Sequence, residues 1–429
     1  MKKRIAVITG FRSHMGKAGG LMKDVRAHQL GAAIAKETMI RSKLCPSLLD
    51  EVIIGNVAQP SDAANIARVI AVNAGVPYNV PAFTVHRNCA SGMESFALSS
   101  LKILQGQAKI ILCGGVESMS NIPLLFSKDL TTTFANLAKA RTPLEKIKTI
   151  LAIKLKSLKP RIGLLEGLTD PISGLIMGLT AENLATDFSI NRDAQDNFAL
   201  RSHKLATQAI VAKKFDEEIV SVFNYNDEDP QITTCDEGVR QNQSIEDLAK
   251  LKPYFNKNSG TVTVGNSSQI TDGAAMAILM SEEQARDLKI TPLGFISDFA
   301  FAGLDPSRMG LGPVFATHKL LQQSKMTLKD FDLFEINEAF ASQVLACVKA
   351  FASNEFCQKH FEENAMGEID IDTLNINGGA IALGHPVGMS GSRIILHSLY
   401  QLRAKQKYRA LASLCIGGGQ GGAMILEAY

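Results

Sequence analysis

Three positions in this chain combine residue types that do chemistry with settings that could present them. Cys89 ends the run Phe83-Thr84-Val85-His86-Arg87-Asn88 and precedes Ala90-Ser91-Gly92. Cys415 ends Leu411-Ala412-Ser413-Leu414 and precedes Ile416-Gly417-Gly418-Gly419. His385 lies between Gly384 and Pro386, on a tight turn ahead of a helix-like segment. Two thiols and an imidazole from three segments could divide acyl transfer and proton abstraction between two sulfurs. Each also has a plainer role. A buried cysteine fills space, and a loop histidine is more often hydrogen-bonded than catalytic.

The local settings favour chemistry. Cys89 precedes Ala90–Leu104, whose Met93, Phe96, Ala97, Leu101 and Leu104 recur near the helical period. Free N–H groups at a helix start carry partial positive charge, which favours a thiolate and can hold an oxyanion. The small Ala90, Ser91 and Gly92 let a substrate approach. His385 belongs to a stretch, 377–388, too glycine-rich for a regular element, and an imidazole there can accept a thiol proton. The other histidines have no such setting and are assigned no chemistry. Gly417, Gly419 and Gly422 match G-x-G-x-x-G only formally. A dinucleotide site needs a following helix and a later acidic residue, and Tyr429 comes too soon for either.

The elements that must hold these groups read as α/β. Strand-like runs are Ile5–Ile8, Glu51–Ile54, Ala82–Val85, Ile110–Cys113, Ala275–Met280, Leu333–Ile336, Thr373–Ile376, Ala410–Cys415 and Ala423–Glu427. Helix-like runs are Ala90–Leu104 and, roughly, Gly391–Arg403. Ile110-Ile111-Leu112-Cys113-Gly114-Gly115 echoes Leu414-Cys415-Ile416-Gly417-Gly418, which suggests two copies of one mixed sheet.

A chain of 429 residues with 46% hydrophobic and 20% charged residues can bury a large core. Its net charge of +3 gives no sign of nucleic-acid binding. Seven cysteines without a C-x-x-C pair fit a reducing compartment, neither a disulfide scaffold nor a metal site. Lys2, Lys3 and Arg4 precede an apolar run too short for a signal peptide, and no uncharged stretch is long enough to span a bilayer.

Between the copies, 121–267 differs in character. Thr142-Pro143-Leu144-Glu145 is a capping box with proline at the first helical position. Leu144, Ile147, Leu151, Leu155 and Leu158 then share one face, flanked by Lys148, Lys154 and Lys159, and Pro160 stops the run. The spacing predicts a basic amphipathic helix over 142–159. It would dock on an anionic membrane surface or a partner, or pack on its own domain.

Five motifs occur in order: Asn88-Cys89-Ala90-Ser91-Gly92, Gly265-Asn266-Ser267-Ser268, Asn337-Glu338-Ala339-Phe340, Gly384-His385-Pro386 and Cys415-Ile416-Gly417-Gly418-Gly419. Each is weak alone. Together they resemble the motif set of the thiolases over essentially the whole chain. The resemblance implies two similar α/β halves in a layered α-β-α-β-α core: 1–120 completed by 268–290, then 291–429, with 121–267 an inserted loop domain.

It also implies roles. Cys89 would carry the acyl group as a thioester, His385 would activate it, and Cys415 would move the α-proton of acetyl-CoA. Asn337 would fix a water that forms one oxyanion site with His385, and the amides of Cys89 and Gly417 would form the other. Met177, Arg240, Phe255, Ser268 and Phe340 would line the coenzyme A path, with CoA and acyl-CoA as substrates and no resident cofactor or metal. A second thiol fits carbon–carbon chemistry better than thioester hydrolysis. It also fits better than a condensing enzyme of the ketoacyl-synthase type, which does not need one.

Many short-chain thiolases have histidine where this chain has Ile176. Leu311-Gly312-Pro313 and Ala316-Thr317, with the basic insert, look more like the β-subunit of the trifunctional fatty-acid-oxidation complex. Asn337 departs from that subgroup, which has His-Glu-Ala-Phe there. The expected activity is thiolytic cleavage of 3-ketoacyl-CoA, the alternative being condensation of two acetyl-CoA. The expected assembly is a homodimer or tetramer, with or without a hydratase–dehydrogenase subunit. The expected place is a bacterial cytoplasm, or a mitochondrial matrix if a leader is missing.

Overall fold

The computed structural model describes residues 4–224 and 231–429, so Lys2 and Lys3 lie outside it. Alternating apolar segments become the strands of one large mixed sheet. In chain order the main ones are β1 (Ile5–Ser13), β2 (Glu51–Gly55), β3 (Ala82–Val85), β4 (Ile110–Ser118), β5 (Thr271–Ser281), β6 (Gly294–Gly303), β7 (Leu333–Ile336), β8 (Arg409–Ile416) and β9 (Gln420–Glu427). Their spatial order is β7-β8-β9-β6-β1-β5-β4-β2-β3.

From the central β1·β6 pair outward, each half repeats one sequence. In the first half, β1, β5 and β4 are antiparallel neighbours, and β2 joins β4 in parallel. In the second, β6, β9 and β8 are antiparallel neighbours, and β7 joins β8 in parallel. The duplication expected from the Gly-ended strands is therefore present. Residues Ile5 and Ile296 join the halves edge to edge.

The period of two along each strand sends alternate side chains to different layers. In the first half Ile53 and Ile111 face the cluster shared with Phe96 of α3 (Ser91–Leu104) and Leu396 of α10 (Ser390–Lys405). Val52 and Leu112 face the other way, onto Leu30 and Ile34 of α1 (Ala27–Ser42) and Ile66 and Ile70 of α2 (Ile66–Asn73). In the second half Ala412 and Leu414 join the central cluster. Leu411 and Ile425 pack outward on α8 (Gly312–Ser324) and α9 (Ala341–Ala352). The result is α-β-α-β-α, with α3 and α10 as the shared middle layer. They meet closely: a side chain on Gly391 would run into the Met93 backbone nitrogen at 2.4 Å.

Two expected elements form differently. Thr373–Ile376 is not a strand. Ile371–Thr373 makes a 3-10 turn capped by Asp370, and only Leu374 bridges Phe334. Asn375, at φ 46°, supplies the missing pairing with its side chain: Nδ2 donates to Ile336 O at 2.9 Å and Oδ1 accepts from Ile336 N at 2.9 Å. The run 142–159 is not one helix. The capping box forms as read, with Thr142 Oγ1 accepting from Glu145 N at 3.2 Å, but α5 covers only Pro143–Leu151 and buries nothing. Without an apolar partner, further turns gain too little to continue. The chain reverses, and the 3-10 turn Leu155–Leu158 is held to the start of α4 (Lys128–Lys139) by Ser127 Oγ donating to Ser157 O at 2.8 Å.

Besides the short helices Gly163–Gly167 and Ile245–Ala249, two longer ones follow in the central region. They are α6 (Met177–Asp187) and α7 (Arg192–Val211). Among the described residues no helix is long and apolar enough to cross a membrane.

Candidate active site

The turn between β3 and α3 is fixed by local backbone bonds. Ala90 N donates to Arg87 O at 3.0 Å, Ser91 N to Asn88 O at 2.9 Å, and Arg87 N to Ser91 Oγ at 2.9 Å. Asn88 adopts φ 43°, a left-handed conformation that asparagine tolerates better than most residues. The turn leaves Cys89 half-buried at the mouth of α3.

Asn88 also reaches the other half of the molecule, Nδ2 donating to Gly417 O at 2.7 Å. That bond seats the turn after β8 against the turn before α3. Burial pushes the Cys89 thiol up, and the charge of Glu117 adds to this; the amides of Gly417 and of Cys89 itself pull it down. The helix start offsets part of the burial without overcoming it.

Cys415 lies at the end of β8, buried, in an apolar cluster with Ala181, Val262, Met309 and Phe340. Burial pushes its thiol well above the ordinary value, and the nearby Cys89 and Cys347 thiols push it further. It is therefore a proton-holding group at neutral pH.

His385 follows Gly384, whose φ of 113° and 2.4 Å approach to Thr271 leave no room for a side chain. Its backbone N donates to Gln269 O at 3.1 Å, and its Nδ1 lies 2.6 Å from Ser390 Oγ. Ser390 Oγ donates to Pro386 O at 3.0 Å, so toward the imidazole it accepts. This assigns the proton to Nδ1 and leaves Nε2, which is buried with no partner among the described residues, as a free lone pair. Burial, with the Arg393 charge behind it, lowers the imidazole to about 4, so near pH 7 it is neutral with a lone pair open to a proton.

Asn337 follows β7 and is fully buried, its N donating to Ser413 O at 3.0 Å. Neither atom of its side-chain amide has a partner among the described residues. A buried amide in that state is suited to hold a water or a substrate oxygen. Glu338 beside it ties down the glycine-rich loop, accepting from Ser202 Oγ at 2.6 Å, Asn375 Nδ2 at 2.9 Å and Ile381 N at 3.2 Å.

Two cavities adjoin here. One, of about 470 Å³, is lined by His385, Met177, Phe255, Ser268 and Phe340, with exposed Arg240 beside it. All five residues assigned to the coenzyme path thus share one cavity. Phe255 packs edge-on against Phe340 at 5.9 Å, Ser268 N donates to Ala339 O at 2.9 Å, and Arg240 N donates to His203 Nδ1 at 3.1 Å. The second cavity, of about 580 Å³, is lined by Cys89, Gly417, Val57, Ala58, Leu164 and Ile172. Met119, Leu168, Met177 and Val387 belong to both. Asn337 and Cys415 line neither cavity and stand behind them.

Reading the sequence gave no role to Asn88, Ser390, Glu338 or Glu117. Asn88 and Glu338 sit inside quoted motifs. Ser390, five residues after His385, and Glu117, at the far end of β4, carry no periodic signal.

The two halves thus bring Cys89, Gly417 and Cys415 to one region, and comparison with known proteins gives the family. The thiolase N-terminal domain matches residues 5–283 and the thiolase C-terminal domain matches 290–428, so the chain belongs to the thiolase family and is an acyltransferase. A probable acetyl-CoA acyltransferase of Staphylococcus aureus (strain COL) is 40% identical over 427 residues, covering 99% of each chain. The crystal structure of the Bacillus anthracis acetyl-CoA acetyltransferase superposes with a TM-score of 0.87 at 35% identity, over 100% of this chain and 99% of that one. Human mitochondrial 3-ketoacyl-CoA thiolase does so with a TM-score of 0.85 at 37% identity, over 99% and 98%.

Proposed function

We propose that the chain cleaves 3-ketoacyl-CoA with CoA, giving acetyl-CoA and an acyl-CoA shortened by two carbons. The observation that carries this reading is the convergence of Cys89 from one half with Cys415 and Gly417 from the other. Nε2 of His385 takes the Cys89 proton, and the thiolate attacks the ketone carbon. The amides of Cys89 and Gly417 hold the resulting alkoxide. As it collapses, the bond between the second and third carbons breaks. The enolate of acetyl-CoA departs, its oxygen held by His385 and a water on Asn337, and Cys415 delivers a proton to its carbon. CoA then gives its proton to the Cys415 thiolate and attacks the Cys89 thioester, releasing the shortened acyl-CoA. The departing Cys89 thiolate takes back the proton held on His385. Run backward with two acetyl-CoA, the same groups condense them.

Each proton has a donor and an acceptor among these side chains, so the cycle needs no resident cofactor or metal. The apolar wall of the second cavity, with Leu164, Leu168 and Ile172, and Ile176 bordering the first, supports an acyl chain longer than acetyl. A coupled assay with short, medium and long 3-ketoacyl-CoA tests the reading. It predicts CoA-dependent acetyl-CoA release on the longer chains. Turnover confined to acetoacetyl-CoA would favour the condensing role instead.

The insert supports a peripheral role at an anionic membrane. Leu144, Ile147, Leu151, Leu155 and Leu158 are all exposed, Leu155 at 86%. From Lys128 to Arg161 the only acids are Asp129 and Glu145, among many lysines. Apolar side chains beside a net positive surface are what binds anionic lipid. Replacing Lys148, Lys154 and Lys159 with Glu is expected to cut binding to phosphatidylserine vesicles by at least about tenfold, each charge contributing about 1 kcal/mol. Unchanged sedimentation with vesicles would instead leave the helix to a protein partner such as a hydratase–dehydrogenase subunit. Strand β3 ends the sheet, an edge suited to pair with a second copy in a homodimer or tetramer.

A further inference from the structure

Glu117, at the far end of β4, is 1% exposed and takes no step in the chemistry above. Its carboxylate accepts four hydrogen bonds. Oε1 accepts from Asn56 Nδ2 at 3.0 Å and Ala58 N at 3.1 Å, and Oε2 accepts from Val57 N at 3.0 Å and Gly388 N at 3.1 Å. The first three donors belong to the loop after β2. The fourth belongs to the turn that carries His385 into α10, in the other half of the molecule.

The clamp bears on the site from two sides. Val57, Ala58 and Val387 line the cavity that holds Cys89, and Gly388 is three residues past His385. Gly388 is seated backbone to backbone. A side chain there would meet Val116 O at 2.6 Å and Glu117 Oε2 at 2.7 Å. Burial pushes the Glu117 carboxyl up to about 7, and the four donors converging on it pull the other way, because all four are satisfied only by the ionised form. That charge has a cost at the site, because it raises the Cys89 thiol. A group that disfavours the nucleophile's reactive form yet bridges two loops of its pocket has its use in geometry.

We propose that Glu117 is a positioning residue for acyl transfer, its carboxylate locking the wall of the acyl cavity to the turn that aims His385 at Cys89. The proposal rests on Cys89 being the acyl carrier. Shortening the side chain (Glu117→Asp) keeps the charge but cannot reach both loops, whereas Glu117→Gln keeps the length and turns an NH2 group toward at least one donor.

The test compares acylation of Cys89 by 3-ketoacyl-CoA in single turnover with its alkylation by iodoacetamide, which needs no His385 alignment. In both variants acylation is expected to slow at least about tenfold, the scale of a small misalignment, with KM for CoA within about twofold. In Glu117→Gln, alkylation is expected to match or exceed the unmodified protein's, because the charge that raises the thiol is gone. Acylation within about twofold of normal in both variants would overturn the proposal. So would a parallel loss of acylation, alkylation and thermal stability, which would make the clamp merely structural. If the unmodified protein forms no Cys89 adduct, the acyl-carrier reading fails, and this inference with it.

Discussion

Cys89→Ala is expected to lower 3-ketoacyl-CoA thiolysis by at least about a thousandfold while leaving the fold intact. Removing a covalent nucleophile removes the path itself, and what remains comes from binding and oxyanion stabilisation alone. The substitution deletes one sulfur from a half-buried position. The bonds that shape the turn, among Arg87, Asn88, Ser91 and Gly417, are made by other atoms. Steady-state turnover and thermal melting measured together check this. A variant that melts normally and turns over at even a tenth of the usual rate would contradict the assignment.

The same proton transfer fixes a pH dependence. With His385 lowered to about 4, the imidazole stays a competent base at and above neutrality, and acylation should be lost only as pH falls through that value. An acid limb near the ordinary histidine value would mean that the imidazole is far better solvated than its burial implies.

The second large effect is expected at Cys415. Cys415→Ser should still form the Cys89 thioester but lose exchange of the α-protons of acetyl-CoA by about a hundredfold or more, the range of a lost general acid–base group. The reason lies in the environment. Buried among apolar side chains and beside another thiol, Cys415 holds its proton until a carbanion of comparable basicity appears. A serine hydroxyl in the same place is too weak an acid to serve. Loss of deuterium from acetyl-CoA labelled at the methyl group, followed by NMR, separates this step from acylation. Undiminished exchange would remove Cys415 from the mechanism.

Much of the fold was legible because the strands are short apolar runs and their two-residue alternation survives. Where legibility failed, a local device replaced the usual pattern. The strand β6 escaped notice because its pairing with β9 shifts register between Ile296 and Asp298, which breaks the alternation. Thr373–Ile376 looked like a strand, but an asparagine side chain does the pairing there. The helix over 142–159 had the right stripe and cap, and stopped because nothing among the described residues covers the stripe.

The repeat is inexact at its cysteines. Cys113 and Cys415 lie on equivalent strands, β4 and β8, yet Cys113 faces the central helices and Cys415 the opposite layer. One residue of offset before the glycines is enough to exchange the faces.

Of the site, residue types that announce chemistry were visible, as were the glycines around them. The groups that orient them were not. Ser390 sets the His385 tautomer, and Glu117 and Glu338 tie down loops. Each acts through a contact between segments remote in sequence or through a turn whose shape the sequence does not display.

The central claim is that two cysteines from opposite halves divide one reaction, Cys89 carrying carbon and Cys415 carrying a proton. Its most direct test is peptide mass spectrometry on the Cys415→Ser protein after incubation with acetyl-CoA, whose CoA thiolate can leave without a proton from Cys415. The account predicts an acyl group on the peptide containing Cys89. An acyl group found on another residue, or no adduct in a preparation whose unmodified counterpart turns over, would contradict it.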